Sequence, residues 1–132
     1  MALTAEETLG IQRVIALHGH LADALQYHRF GEILTDDVVY DMESLGLGTT
    51  RGREALRAIA EQTADRQPKA HLVTNTVVTE GADGRVHARS KGVAIMPDGA
   101  VGSVVYVDRL RRTPEGWRIE HRAIVPGTTP VS

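Results

Sequence analysis

The chain has 132 residues, 42% of them hydrophobic and 24% charged, which is enough apolar sequence to bury the core of a single domain spanning residues 1–132. Its 15 basic and 17 acidic residues give a formal net charge of −2, and this balance argues against binding to nucleic acid or to an anionic membrane. The absence of cysteine excludes disulfides, thiolate metal ligands and a cysteine nucleophile.

The first element that the sequence predicts is an amphipathic helix. Thr4 and Glu7 form the T-x-x-E pattern of a capping box, and the helix is predicted to continue to about Tyr27. Apolar positions at helical spacing form a core stripe, made of Ile11, Val14, Ile15, His18, Leu21, Ala22 and Leu25. Asp23 lies off this stripe, on a second face of mostly small side chains. The helical pattern favours a solvated position for Asp23 over one at the floor of a cavity.

The remaining elements are two further helices and a series of strands. A short helix is predicted around 29–34, a strand over 38–43, and a third helix from Arg53 to about Arg66, which Pro68 ends. Four more strands are predicted over 70–79, 85–96, 100–112 and 117–125, separated by turns rich in Gly, Pro and Asp. This order predicts an α+β domain in which three N-terminal helices pack on a curved, mostly antiparallel sheet, with room for a hollow between them.

Asp23 and His71 are the candidate catalytic pair. A neutral imidazole can act as a base near pH 7, and a carboxylate bonded to its other nitrogen fixes the tautomer and stabilises the imidazolium that forms. Strand alternation predicts that Val73, Asn75 and Val77 share the face of His71, so that two apolar side chains and an amide face the same hollow as the imidazole. Asn75 is then either a ligand for a substrate carbonyl or hydroxyl, or a polar residue that satisfies neighbouring backbone.

Three further residues are candidates for contact with a substrate. His18 lies on the core stripe, where it is either a packed structural histidine or a catalytic group. Tyr106 is predicted to share a strand face with Asp108, either as a phenol donor or as a brace of the sheet. His121 is predicted to lie on the same face as Trp117, facing the hollow or serving as an ordinary sheet residue. No metal-site spacing, phosphate loop, nucleophile elbow or dinucleotide fingerprint is present, so we expect no metal and no cofactor.

The order of short motifs resembles the SnoaL-like branch of the NTF2-like superfamily over nearly the whole chain. The motifs are Asp23 followed by L-T-D-D-V-V-Y-D over 34–41, G-x-x-A-L from Gly52, H-x-x-x-N from His71, Y-x-D from Tyr106 and G-W-R-I from Gly116. The resemblance implies a cone-shaped α+β barrel with a deep apolar pocket. In the dehydratase and dehydrochlorinase branches, a helix-1 Asp orients a strand His that removes a proton. Asp23 and His71, 48 positions apart, match both residues.

The resemblance also bears on neighbouring positions. Those enzymes often carry a Tyr or Lys near position 18 that assists the leaving group, and His18 is a candidate substitute. His121 lies near a position at which dehydrochlorinase-like sites have a polar or cationic helper. The ketosteroid isomerase base corresponds to Met42, which cannot accept a proton, so that mechanism is disfavoured unless Glu43 turns inward. The resemblance further implies a homodimer or homotrimer formed through the outer surface of the sheet.

Taken together, the sequence predicts a dehydratase-like lyase or isomerase that acts on a small hydrophobic substrate without a cofactor. Two alternatives stay open: a polyketide cyclase-like enzyme, and a non-catalytic module that binds a hydrophobic ligand or dimerises.

The first ten residues lack the basic and apolar segments of a secretory signal, and no apolar run approaches the roughly 20 residues of a membrane span. We therefore expect a cytoplasmic protein with no membrane or nucleic-acid partner.

Overall fold

A computed structural model describes residues 2–131 and shows helices packed on one face of a six-stranded sheet. In chain order the elements are α1 (Ala5–Asp23), a 3₁₀ helix (Tyr27–Glu32), β1 (Leu34–Asp41), a 3₁₀ turn (Glu43–Leu45), β2 (Thr49–Arg51), α2 (Arg53–Gln62), a 3₁₀ turn (Ala64–Arg66), β3 (Ala70–Glu80), β4 (Val86–Ile95), β5 (Val101–Thr113) and β6 (Gly116–Pro126). The predicted α+β class and the three helices on a mostly antiparallel sheet are confirmed. Within residues 2–131, no helix has the length and apolar character needed to cross a membrane.

Helix α1 begins at the predicted capping box and ends before the predicted boundary. The side chain of Thr4 accepts a hydrogen bond from the backbone N–H of Glu7, and the Glu7 carboxylate reaches back to Thr4. At the other end, Leu25 adopts the left-handed conformation with a φ of 57°. The N–H of Gln26 then donates to the carbonyl of Leu21 over 2.9 Å, which is the bonding of a Schellman motif. The helix therefore ends at Asp23 rather than near residue 27.

The sheet has the strand order β2-β1-β6-β5-β4-β3. Neighbouring strands are antiparallel, except that β1 and β6 run parallel. Strands β2 and β3 lie at opposite edges, so the sheet is open and curves around the helices without closing into a barrel. The structure differs from the prediction in three places: β1 spans Leu34–Asp41 rather than 38–43, α2 ends at Gln62, and the turn region before α2 contains the short strand β2.

The core lies between α1 and the side of the sheet that we call the inner face. Ile11, Ile15 and Leu21 of α1 are at most 1% exposed and pack with Leu34 of β1 and Ile119 of β6. Burial of large aliphatic side chains stabilises such a domain by about 1.5–3 kcal/mol for each residue. This packing fixes α1 across the inner face and brings its C-terminal end against the start of β3.

Candidate active site

Asp23 and His71 contact each other through two hydrogen bonds, and we call them the dyad. The carboxylate Oδ1 of Asp23 lies 2.6 Å from Nδ1 of the His71 ring, and Oδ2 accepts the backbone N–H of His71 over 3.0 Å. Their side chains are 28% and 18% exposed, respectively. One carboxylate therefore holds both the ring and the backbone of the histidine.

At Gly19, one turn before Asp23, α1 packs closely against β3. A Cβ atom placed on Gly19 would lie 3.4 Å from the backbone oxygen of His71 and 3.6 Å from its Cβ, which is ordinary van der Waals contact. Alanine would therefore fit here, whereas a side chain that extends beyond Cβ would press against the strand. The helical pattern favoured a solvated position for Asp23, and that prediction is wrong because β3 covers the face of small residues on which Asp23 lies.

The contact determines which nitrogen of His71 is available for chemistry. A carboxylate only accepts hydrogen bonds, so the proton of a neutral ring lies on Nδ1 and the lone pair on Nε2. Within residues 2–131, no protein group hydrogen-bonds to Nε2. The ring lies on the same face of β3 as Val73, which packs against the core. In the neutral ring, Nε2 of His71 is thus the nitrogen that can accept a proton, as a general base must.

A buried ion pair lies further along the inner face. Arg122 donates to both carboxylate oxygens of Asp108 over 2.7 and 2.8 Å, and the two residues are each 1% exposed. Burial alone would lower the pKa of Arg122, but the Asp108 carboxylate, together with Tyr40 and Tyr106, outweighs this effect and raises it. The guanidinium also stacks on the ring of Tyr106, 4.2 Å from its centroid. The interior thus contains a fixed cation beside a phenol.

His18 is partly buried beside the core and hydrogen-bonds to Tyr40 through Nε2. Its ring stacks against Phe30 and Tyr40 with centroid separations of 5.8 and 5.9 Å. Burial lowers the pKa of His18 well below its ordinary value, and the nearby Arg122 and His71 lower it further. Burial likewise raises the pKa of the Tyr40 hydroxyl. His18 is therefore a neutral, packed histidine, and contact with a substrate stays a prediction for it.

Tyr106 and Asp108 share the inner face, as strand alternation predicts. The carboxylate of Asp108 is bound by Arg122 of the following strand, and this buried arginine is the group that the sequence reasoning missed. The signal that could have found it is the pair of opposite charges, Asp108 on β5 and Arg122 on β6, on two strands that a tight turn joins. Tyr106 lies on the same face as His71, and its role as a phenol donor or as a brace of the sheet stays a prediction.

Two predicted site residues are placed elsewhere because β-bulges break the alternation on which they were predicted. Asn75 lies in a bulge between Thr74 and Val77, has a φ of 56° and is exposed. His121 lies directly opposite Arg109, on the face away from Asp108, because a bulge at Glu120 inserts one extra residue into β6. Two predictions are therefore wrong. Asn75 and Val77 do not face inward with His71, and His121 does not share a face with Trp117.

Two clefts lie away from the dyad. The larger, of about 640 Å³, lies beside the N-terminal half of α1 and is lined by residues that include Glu7, Arg13, Arg112 and Trp117. The smaller, of about 470 Å³, lies beside the start of β1 and is lined by residues that include Asp36, Arg53 and Arg111. Charged side chains line both clefts, and neither includes Asp23 or His71. Among residues 2–131, no group of three or more His, Asp or Glu side chains is placed to hold a metal ion.

Glu43, the other carboxylate considered for an isomerase-type base, does not turn inward. It is exposed and accepts a hydrogen bond from the hydroxyl of Thr49 over 3.0 Å. Met42 packs against the core. The dyad is therefore the arrangement around which a proton-transfer site can be built.

The fold is that of an NTF2-like domain, and comparison with known proteins identifies the family. The SnoaL-like domain profile matches residues 3–123, so the chain belongs to the SnoaL-like domain family. An NTF2-like protein with a cystatin-like fold from Novosphingobium aromaticivorans is 30% identical, with a TM-score of 0.73, over 95% of this chain and 84% of that chain.

Two other solved structures from the same organism share the fold at lower identity. A proposed aromatic ring hydroxylase is 23% identical, with a TM-score of 0.82, over 99% of this chain and 95% of that chain. A proposed scytalone dehydratase is 16% identical, with a TM-score of 0.75, over 89% of this chain and 82% of that chain. No curated protein matches the sequence. At these identities the likeness establishes the fold alone.

Proposed function

We propose that this protein is a cofactor-independent lyase or isomerase of the dehydratase type, in which His71 removes a proton from a small, largely apolar substrate and Asp23 orients the base. The observation that carries the proposal is the 2.6 Å hydrogen bond between Asp23 and Nδ1 of His71, which leaves Nε2 without a protein partner. The relative that is a proposed scytalone dehydratase is consistent with this reaction class.

The reaction begins with transfer of a proton from a carbon atom of the substrate to Nε2 of His71. The ring then carries a positive charge, and the carboxylate of Asp23 stabilises it through a charge-assisted hydrogen bond. The electron pair of the broken C–H bond moves into the activating group of the substrate. Either a neighbouring leaving group such as hydroxide then departs, or the proton returns at another carbon and the double bond moves. A positioned general base of this kind typically accelerates a reaction by about 10²–10⁴-fold.

A screen with matched variants tests this proposal. We would incubate the protein with a panel of β-hydroxy ketones and hydroxylated polyketide-like ketones and follow loss of water, isomerisation and cyclisation by mass spectrometry and NMR. We expect His71→Ala to lower turnover by about 10³-fold and Asp23→Asn by about 10²-fold. His20→Ala, which changes an exposed histidine of α1, the helix that carries Asp23, serves as the control and should leave turnover unchanged.

The outcomes separate the alternatives. Turnover that survives in both dyad variants would remove the proposed mechanism. Binding of panel compounds without any turnover would support the non-catalytic module, and a cyclised product would support a polyketide cyclase.

We also propose that the protein forms a homodimer or homotrimer through the outer face of the sheet. This face carries exposed apolar side chains: Leu72, Val77, Ile95 and Val101 are 37–69% exposed. Leu72, Ile95 and Val101 lie near one another at one end of this face, since Ile95 pairs with Val101 and with Ala70, two residues before Leu72, and clustered apolar surface is frequent at interaction sites. Light scattering after size-exclusion chromatography should give a mass of two or three chains, and a monomer across the micromolar range would contradict this proposal.

A further inference from the structure

Residues 127–131 turn back onto the outer face of the sheet, and we call this segment the strap. The N–H and the hydroxyl of Thr129 both donate to the carbonyl of Pro126, over 3.0 and 2.7 Å, and this closes a turn directly after β6. The guanidinium of Arg89 donates to the carbonyl of Thr129 over 2.5 Å. Because its neighbour Ala88 belongs to the core on the inner face, the side chain of Arg89 lies on the outer face. The strap is therefore tied to the side of the sheet that the helices leave uncovered.

The strap covers Val105, a valine of the outer face. Leu110 of β5 belongs to the core, so alternation along the strand places Val105, five positions earlier, on the opposite face. Val105 is nevertheless only 2% exposed. The strap contacts the sheet on both sides of it, because Gly127 packs on Ser103 and the strap is bonded to Arg89, whose partner in β5 lies two residues beyond Val105. The strap thus lies across Val105 and shields it from water.

The fit of the strap on the sheet depends on the absence of a side chain at Gly127. A Cβ atom placed on Gly127 would lie 2.4 Å from Oγ, 3.1 Å from Cβ and 3.2 Å from the backbone oxygen of Ser103. The Oγ atom can rotate away, but Cβ and the backbone oxygen move only with the strand. A larger residue at position 127 should therefore lift the strap from the sheet.

The outer face has an open apolar end beside the part that the strap covers. Leu72, Ile95 and Val101 are 37–69% exposed at this end. Val101 and Val105 lie on the same face of β5, four residues or about 13 Å apart. A second copy that docks on the open end would therefore lie next to Val105, and the apolar contact would grow if the strap moved away.

We propose that the strap is a removable cover on the interface between two copies of this chain, and that its position controls how tightly the copies associate. In the closed position, only the open apolar end is available to the second copy. In the open position, Val105 is exposed and joins the interface. The inference rests on the proposed association through the outer face and deepens it, and it is independent of the dyad and of the proposed reaction.

Two measurements on the full chain test the strap. Hydrogen exchange of residues 127–131 reports whether the strap is closed, and analytical ultracentrifugation gives the dissociation constant of the oligomer. Arg89→Gln removes the group that binds the strap, so we expect faster exchange and a dissociation constant about 10-fold lower, the gain from burying one further valine. Lys91→Gln is the matched control. It removes one positive charge from the same face but keeps Arg89, so exchange should be unchanged and the dissociation constant should stay within about 2-fold.

Gly127→Ala opens the strap without a change in charge. It should speed exchange and tighten association as Arg89→Gln does, and the further change Ser103→Gly, which removes the side chain that the new Cβ meets, should bring both values back toward those of the wild type. Unchanged exchange in Arg89→Gln and Gly127→Ala, or faster exchange without tighter association, would overturn the inference, whereas an oligomeric wild type would still support the outer-face interface. A monomeric wild type with dimeric strap variants would support the strap and contradict an oligomeric wild type. Turnover in the dyad variants tests the proposed reaction separately.

Discussion

Replacement of Asp108 by Asn is expected to destabilise the protein strongly, because it leaves the buried guanidinium of Arg122 without its negative partner. The side chains of the two residues are 0% and 1% exposed, and two hydrogen bonds of 2.7 and 2.8 Å join them. Removing one partner of such a pair costs about 3–5 kcal/mol, against a total of about 5–15 kcal/mol for a domain. At about 3–5 °C per kcal/mol for a chain of this size, Tm should fall by about 10–20 °C.

Thermal and urea unfolding measure this change, and the surface offers a matched control. Asp37 accepts hydrogen bonds from Arg111 over 3.1 and 3.2 Å, but its side chain is 67% exposed, so Asp37→Asn should cost less than about 1 kcal/mol. The double variant Asp108→Leu with Arg122→Met should recover much of the loss, because no charge is then left buried. Equal losses of stability in Asp108→Asn and Asp37→Asn would refute the reasoning.

Three other predictions concern stability. Because burial lowers the pKa of His18 below its ordinary value of 6.5, the unfolded chain binds this proton more readily than the folded one. Stability should therefore be full above pH 6.5 and fall as the pH drops below it, by up to about 1.4 kcal/mol per pH unit. The wild type should lose more stability than His18→Gln between pH 6.5 and 5, and parallel curves would contradict this. Leu25→Gly should raise the free energy of unfolding by about 1 kcal/mol, because glycine adopts the left-handed φ of 57° without strain and Leu25, at 58% exposed, loses little buried surface. An unchanged urea midpoint would count against this prediction. Ser90→Ala should leave Tm unchanged or raise it slightly, because the buried hydroxyl has no partner in the described chain, whereas a loss of several degrees would reveal a missed hydrogen bond.

Local sequence signals predicted the elements well where a single interaction determines the structure. The capping box of Thr4 and Glu7 predicted the start of α1, and strand alternation predicted that Tyr106 and Asp108 share a face. The end of α1 was not predictable in this way. Leu25 adopts a left-handed conformation that glycine usually provides, so the sequence carried no stop signal there.

The site was predictable only in part, because single-residue bulges reverse which side of a strand a residue faces. The bulges in β3 and β6 moved Asn75 and His121 off the inner face, and the second one brings Arg122 onto it. Asp23 illustrates a different limit. A helical pattern shows which face is apolar, but it does not show that β3 covers the neighbouring face, so the contact with His71 came from resemblance rather than from periodicity.

The tautomer of His71 in the free protein tests the central claim most directly, since it needs no substrate. Long-range ¹H–¹⁵N NMR spectra of the neutral ring distinguish a proton on Nδ1 from a proton on Nε2. With the Asp23 carboxylate 2.6 Å from Nδ1, we predict that Nδ1 carries the proton and Nε2 the lone pair, and that Asp23→Asn abolishes this preference. A wild-type spectrum with the proton on Nε2 would contradict the account, because that nitrogen could then not remove a proton from a substrate.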